Sequence, residues 1–225
     1  RYWNCAGRGM LMRYMAYDAG LDFIDDIVDI EEDFLSGTWE NKKKFIPELA
    51  GPFKALPVVQ HHGATINETG ACAQYVAEIA GYMPTHPLDR AKVVMICDHI
   101  YEDILINVAY AIWGFRDWER DVVGGFAGPI SGFPLKFANL EDILVGSSSG
   151  FAVGSEVSMA DFAIFYIVDI LTQRMLKVES GPAAVKLLFG DKPAIAKHQE
   201  MMAARPNTSK YKKSAQWDLY GHYLS

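Results

Sequence analysis

Four short stretches hold side chains whose types and spacing could do chemistry. In Tyr2-Trp3-Asn4-Cys5-Ala6-Gly7-Arg8-Gly9 a phenol and a guanidinium flank a loop that runs into an apolar helical pattern. A phenol aimed at a sulfur can donate a hydrogen bond to the thiolate, and bonding to the charged form lowers the thiol pKa. A free thiol titrates near ~8.5. A drop of about one to two units, about 1.4–2.7 kcal/mol of differential interaction, brings it near neutrality. By itself Tyr2 reads better as an aromatic in a terminal strand. Arg8 lies where the loop enters the helix, and a guanidinium beside a helix N-terminus stabilises an anion; a surface salt bridge is the alternative. Cys5, just before the same helix, could be a redox nucleophile if its pKa were depressed, but no second cysteine or proline follows in a redox pattern, and lining a pocket is the other reading.

The remaining stretches would handle a ligand's backbone and ends. Pro57 opens the run Leu56-Pro57-Val58-Val59. A cis bond there would present the N–H and C=O of Leu56 for antiparallel pairing with a peptide, whereas a trans bond would make an ordinary strand start. In Glu68-Thr69 the threonine opens a helix, so its hydroxyl and the first amides face any ligand carboxylate. Glu68 can accept from an ammonium group, and the same pair also serves simply to start a helix. The histidines form no site: His61 and His62 point to opposite faces of a strand, and His86, His99, His198 and His222 share no metal spacing.

Patterning indicates the scaffold that must bring these residues together. Leu11, Tyr14 and Met15 recur at helical spacing within residues 7–19, and Gly20 is a C-cap. Residues 21–30 alternate like a strand, and 36–55 are polar and Lys-rich around an isolated Trp39. Residues 57–62 read as a strand turned at His62-Gly63 into a hairpin with 64–66, and 69–79 return to helical spacing. This β-α-β, then β-β-α order predicts a thioredoxin-like α/β domain over residues 1–81. Residues 82–89, which overlap the Pro- and Gly-bearing stretch Gly81 to Pro87, read as a linker. Residues 90–225 read as an all-helical bundle domain. There Val94, Cys97, Tyr101, Ile104 and Val108 mark a long core-facing helix, and residues 121–136 read as a Gly/Pro loop. Ser158-Met159-Ala160-Asp161 is a capping box before an apolar helix through Leu171, and 192–204 form a further helix.

Composition narrows the class. Half of the 225 residues are hydrophobic, enough for a real core, and the net charge of −7 argues against a nucleic-acid partner. No apolar run reaches the roughly 18 residues of a membrane span. The opening RYWNCAGRGM lacks the apolar stretch of a signal peptide, and the abrupt start at Arg1 suggests that the first strand extends upstream. Cys5, Cys72 and Cys97 show no metal spacing, and an odd count fits a reducing compartment. A soluble cytoplasmic protein that needs no metal is expected.

Taken in order, the segments resemble a known family. YWNCAGRGMLMRY is similar to the opening of the tyrosine-type glutathione transferases, roughly Y-F-x-x-R-G-R-A-E-x-I-R-Y. The sigma class, which includes the glutathione-dependent prostaglandin D synthases, is nearest in likeness. The resemblance continues through LPVV, through INETGACAQYV, through GSEVSMADF, and into HQEMMAARPNTSKYKKS, so it spans nearly the whole chain. It implies glutathione as co-substrate, a hydrophobic electrophile as its partner in a detoxification reaction, and a homodimer. Carried over by position, Tyr2 falls on the thiol-activating tyrosine and Arg8 on the arginine of the following loop. Trp39 and Lys43 would hold the glycine end of glutathione. Leu56 would contact the cysteinyl part beside a cis Pro57, and Glu68 and Thr69 would take the γ-glutamyl group. Asp98 and Glu102 lie where the sigma class places acidic residues, one of which reaches the partner's glutathione. Gly7, Ile104, Val108 and the segment around Trp217 and Tyr220 would bound the electrophile pocket, and Asp161 matches a folding residue. The chain departs from the pattern at Ala6, Met10 and Glu68, where the family has Arg, Glu and Gln, and by about five extra residues between Lys43 and Pro57. A glutathione-dependent isomerase and a non-catalytic relative like the lens crystallins are the alternatives.

Overall fold

A computed structural model describes residues 1–112, 117, 120, 132–177 and 179–221. In chain order the elements are β1 (Tyr2–Trp3), α1 (Met10–Asp18), β2 (Ile27–Val28), a π-helical turn Ile30–Leu35, α2 (Thr38–Asn41), a 3-10 turn Lys43–Phe45, α3 (Pro47–Ala50), β3 (Val58–His61), β4 (Ala64–Asn67) and α4 (Thr69–Ala80). There follow α5 (Pro87–Asp98), a π-helical stretch His99–Leu105, α6 (Ile106–Ile112), α7 (Phe133–Val145), α8 (Met159–Met175), α9 (Gly181–Phe189), α10 (Pro193–Ala203), α11 (Pro206–Lys212) and α12 (Ala215–Gly221). Two compact units result. Of the described residues, one holds 1–81 and 207–221 and the other holds 82–206.

The first unit is thioredoxin-like. β1 and β2 run parallel, with Tyr2 opposite Ile27 and Trp3 opposite Val28. β3 and β4 run antiparallel from Val58 opposite Asn67 to His61 opposite Ala64. Arg1 joins the two pairs: its amino group donates to the Val58 carbonyl at 2.7 Å and its carbonyl accepts from the Val58 amide at 3.0 Å. His62 and Gly63 both have positive φ, 48° and 80°, the conformation that lets a two-residue turn match the strand twist. Helix α1 buries Met10, Leu11, Tyr14 and Met15, while α4 buries Cys72, Ala73, Val76 and Ala77. The two helices pack together. Asn67, at the end of β4, donates to the carbonyls of Ala50 (3.0 Å) and Ala55 (2.7 Å) and so holds the approach to Pro57. A Cβ on Gly51, φ +63°, would sit 2.0 Å from the Asn67 amide oxygen, so only glycine fits.

The expected strand over 21–30 is reduced to Ile27–Val28, because the aspartates there serve other partners. Asp25 binds Arg13, Asp26 binds Arg1, and Asp29 accepts from the amides of Glu31 and Glu32, which starts the π-helical turn. The segment after Asn207 ties back to α1. Asn207 donates to the Asp18 carbonyl at 2.8 Å, the Thr208 hydroxyl donates to the Asp18 carboxylate at 2.7 Å, and Tyr211 stacks on Tyr17 with ring centroids 4.0 Å apart.

In the helical unit α5, the π-helical stretch and α6 continue one another, and α8 is buried on nearly every side. The Ser158–Asp161 capping box is formed. The fully buried Asp161 carboxylate accepts from the Ser158 amide (2.8 Å), the Ser158 hydroxyl (2.9 Å) and the Ala152 amide (2.7 Å), with His198 Nε2 at 3.0 Å. Glu141 of α7 accepts from the amides of Ala194 and Ile195, both at 2.8 Å, and so caps α10. The Gly/Pro loop expected over 121–136 needs a correction: 121–131 lie outside the described residues, but Phe133 onward is helix, with Pro134 in its first turn where no amide partner is required. No helix among the described residues is long and apolar enough to cross a membrane.

Asp161→Ala leaves the buried Ser158 amide and the half-buried Ala152 amide without their acceptor. The expected outcome is a loss of about 3 kcal/mol in the stability of the helical unit, from the lost cap and the unsatisfied amides together; urea unfolding followed by circular dichroism measures it.

Candidate active site

The site begins with a phenol closed in by glycines. Tyr2 is 6% exposed on β1, and its hydroxyl oxygen accepts from the Arg8 backbone N–H at 2.9 Å. The loop lies so close that a Cβ on Gly7 would be 2.6 Å from the hydroxyl, and one on Gly9 would be 2.5 Å from the ring. Gly7 also has φ +27°, which disfavours any side chain. With the amide on its oxygen, the phenol keeps its own hydrogen for another acceptor. Burial, then the nearby Cys5, raise Tyr2 above the usual tyrosine range, while the Arg8 amide and the Arg13 and Arg8 charges oppose them. Tyr2 therefore stays protonated at neutral pH and acts as a donor, not a base.

Arg8 links this loop to α4. Its Nη1 donates to the Thr69 hydroxyl at 3.4 Å, so the structure brings Tyr2, Arg8 and Thr69 together from β1, the following loop and the start of α4. Glu68, immediately before Thr69, is a non-glycine residue at φ 68°, and no side chain caps the α4 N-terminus. Such strain persists where surrounding structure over-determines it, commonly at ligand sites. The Leu56–Pro57 bond is cis.

Known proteins match this architecture. Residues 132–215 match the family described as the glutathione S-transferase C-terminal domain. A probable glutathione S-transferase 6 of Caenorhabditis elegans is 25% identical over 182 residues, covering 79% of this chain and 82% of the relative. The Pi-class glutathione S-transferase of Onchocerca volvulus superposes with a TM-score of 0.76 at 18% identity, covering 97% of this chain and 93% of that one. A monomeric glutathione S-transferase of Necator americanus gives 0.70 at 21% identity, with 95% of each chain covered. The chain is thus similar to glutathione S-transferases over most of its length, in sequence to the curated relatives and in fold to the solved structures.

The other residues expected to serve a transferase site fall in varied surroundings. Trp39 is buried edge-on to Trp3, centroids 5.1 Å apart, in a cluster with Val28 and Ala50 against which Leu56 packs. Lys43 pairs with the buried Asp33 at 2.5 Å. In the helical unit Asp98 and Glu102 are exposed one helical turn apart, whereas Ile104 and Val108 have no exposed surface and pack in that unit's core. Trp217 packs against Tyr14 and Tyr211, and Tyr220 is wholly buried over Arg13. The depressed Cys5 pKa considered as a redox possibility is not found. Cys5 keeps some surface, but burial pushes its thiol up to about 12, with Arg13 opposing only in part. Among the described residues no cluster has the arrangement of a metal site.

Arg13 was not singled out from the sequence. A signal was present, since an arginine on the apolar stretch of α1, within Met12-Arg13-Tyr14, can be buried only with partners. Asn67 left no such signal, because its partners lie across a loop whose conformation depends on Gly51.

Gly7→Ala forces the methyl into the Tyr2 hydroxyl. The expected result is loss of the Arg8-to-Tyr2 bond and of ligand-dependent activity in a chain that remains folded, read by activity beside circular dichroism. A second outcome concerns alkaline pH. Tyr2, Tyr211 and Tyr220 all titrate above the usual tyrosine range, chiefly through burial. Above the ordinary value of about 10 the unfolded chain has released phenolic protons that the folded chain still holds. Their contribution is therefore complete below about pH 10 and lost as pH rises beyond it. Urea midpoints measured from neutral to strongly alkaline pH should fall in that window.

Proposed function

We propose that the protein is a glutathione transferase in which Tyr2 holds the sulfur of glutathione as a thiolate for attack on a hydrophobic electrophile. The observation that carries this reading is the Arg8 amide on the Tyr2 oxygen at 2.9 Å. It occupies the oxygen and leaves the phenolic hydrogen as the donor, and it polarises the O–H, strengthening its bond to an anion. The thiol proton leaves to solvent, because a phenol held above its usual pKa is no base. The thiolate then forms the new S–C bond as the leaving group departs from the electrophilic carbon with its electron pair.

The rest of the tripeptide is read onto the neighbouring elements. Leu56, whose amide and carbonyl have no partner among the described residues, pairs with the cysteinyl backbone. The Thr69 hydroxyl and the uncapped α4 N-terminus take the γ-glutamyl carboxylate, with Arg8 behind Thr69 at 3.4 Å. Glu68 takes the ammonium group. Lys43 has donors left beyond its Asp33 pair for the glycine carboxylate, and Trp39 supports this wall from beneath through Trp3. Gly7 is the wall of the electrophile site nearest the sulfur, while Ile104 and Val108 act from within the helical unit's core.

We read residues 1–81 as the glutathione-binding domain, 82–89 as the linker and 90–225 as the helical domain, whose last described segment from Asn207 packs with the first unit. Our reading of subclass is sigma type, in a cytoplasmic homodimer with a detoxifying role, where Asp98 or Glu102 reaches the partner's glutathione.

Tyr2→Phe tests the assignment. Removing a hydrogen bond to a charged group is worth about 1.5–3 kcal/mol, so turnover with an aryl chloride should fall roughly ten- to a hundredfold. Glutathione affinity by titration calorimetry should change by no more than about threefold, since the remaining contacts are untouched. Unchanged turnover would sink the role given to Tyr2.

A further inference from the structure

Arg13 is the most heavily engaged buried cation of the first unit, and the thiol chemistry described above makes no direct use of it. Its side chain is 4% exposed on α1. Nη1 donates to the Cys5 carbonyl at 2.7 Å and Nη2 to the Trp3 carbonyl at 3.0 Å. Nε and Nη2 also engage the Asp25 carboxylate, at 2.9 and 3.3 Å. The Tyr220 ring of α12 covers the guanidinium, whose central carbon is 3.8 Å from the ring centroid, and the Tyr220 hydroxyl donates to Asp25. Gln216 in turn donates to the Tyr220 oxygen at 2.9 Å.

These contacts converge on one short stretch of backbone. The Trp3 and Cys5 carbonyls bracket the chain between β1, which carries Tyr2, and the Gly7-Arg8 loop, whose amide meets the Tyr2 oxygen. Tyr2 is itself beneath the guanidinium, 5.6 Å from ring centroid to Arg13 carbon. A planar fork can hold two carbonyls and a carboxylate at once; an ammonium cannot, so the geometry calls for arginine and not merely for charge. Burial works against the charged form, and Asp25 together with Tyr220 and Tyr211 more than offsets it, holding Arg13 above its ordinary value.

We infer that Arg13 is a positioning residue: through the Trp3 and Cys5 carbonyls it sets the distance between Tyr2 and the Arg8 amide, and Tyr220 of α12, with Asp25, locks its orientation. The C-terminal helix is thereby part of the apparatus that tunes the sulfur. This rests on the transferase reading for its consequence in catalysis, but not for its consequence in the loop.

Two readouts on the intact chain test it. In the protein without ligand, Arg13→Lys should speed hydrogen exchange at the Arg8 amide by about tenfold or more while the α4 core amides Ala73 and Ala77 keep their protection, because the loop opens locally. With glutathione, the same variant should raise the apparent pKa of kcat/KM for an aryl chloride by about one unit, a tenfold loss of thiolate at a given pH. Should Arg13→Lys not fold, Tyr220→Leu, which removes the covering ring, should move both readouts in the same direction by a smaller amount. Slower or unchanged exchange at Arg8, or a loss of protection spread equally over α4, would overturn the inference and leave Arg13 a residue of general stability. Faster Arg8 exchange with no glutathione-dependent activity in the wild type would uphold the positioning role and remove the transferase reading instead.

Discussion

One hydrogen bond organises the first unit's chemistry: the Arg8 amide on the Tyr2 oxygen. It exists only because the chain between them can close over a buried aromatic ring without side chains in the way. Gly7 and Gly9 supply that clearance, each at a distance where a methyl group would meet Tyr2 at 2.6 or 2.5 Å. Closure has a chemical result. An amide donor facing the oxygen fixes which way the phenolic hydrogen can be used, and burial keeps that hydrogen in place at neutral pH. The same loop carries the Arg8 guanidinium to Thr69, so a single turn of backbone couples Tyr2 to the start of α4.

Several long-range contacts keep that turn where it is. From below, Arg13 binds the Trp3 and Cys5 carbonyls and is held by Asp25 and Tyr220. From the side, Asn67 fixes the Ala50–Ala55 loop that leads to Leu56 and cis Pro57. The segment after Asn207 belongs to this support. Its tyrosines and Trp217 pack on α1, and its polar groups fasten Asp18. In the helical unit the corresponding anchors are buried carboxylates that accept backbone amides, Asp161 at the start of α8 and Glu141 at the start of α10. Each replaces the missing intrahelical partner of an N-terminal amide, which is why an acidic residue can be buried there.

What could be read from the sequence was local. Periodicity at Leu11, Tyr14 and Met15 located α1, the His62-Gly63 pair located the hairpin, and Ser158 with Asp161 located the start of α8. Each depends on residues within a few positions of one another. The stretch from Leu21 misled because its alternation satisfied a strand template while its aspartates were committed to Arg1, Arg13 and the amides of Glu31 and Glu32. Trp39 and Trp217 pack in aromatic clusters, and which face of such a cluster is covered is not written in the local sequence. Asn67 stayed hidden for a related reason: its partners are the Ala50 and Ala55 carbonyls, and carbonyls leave no mark in a sequence.

The measurement closest to the central claim is the ultraviolet difference spectrum of glutathione bound to the wild type and to Tyr2→Phe, titrated with pH. The account predicts a thiolate band that appears below pH 7 in the wild type, against the ~8.5 of a free thiol, and moves upward in the variant. A band with the same midpoint in both proteins would contradict it, because the sulfur would then be ionised by something other than the phenol that Gly7, Gly9 and the Arg8 amide enclose.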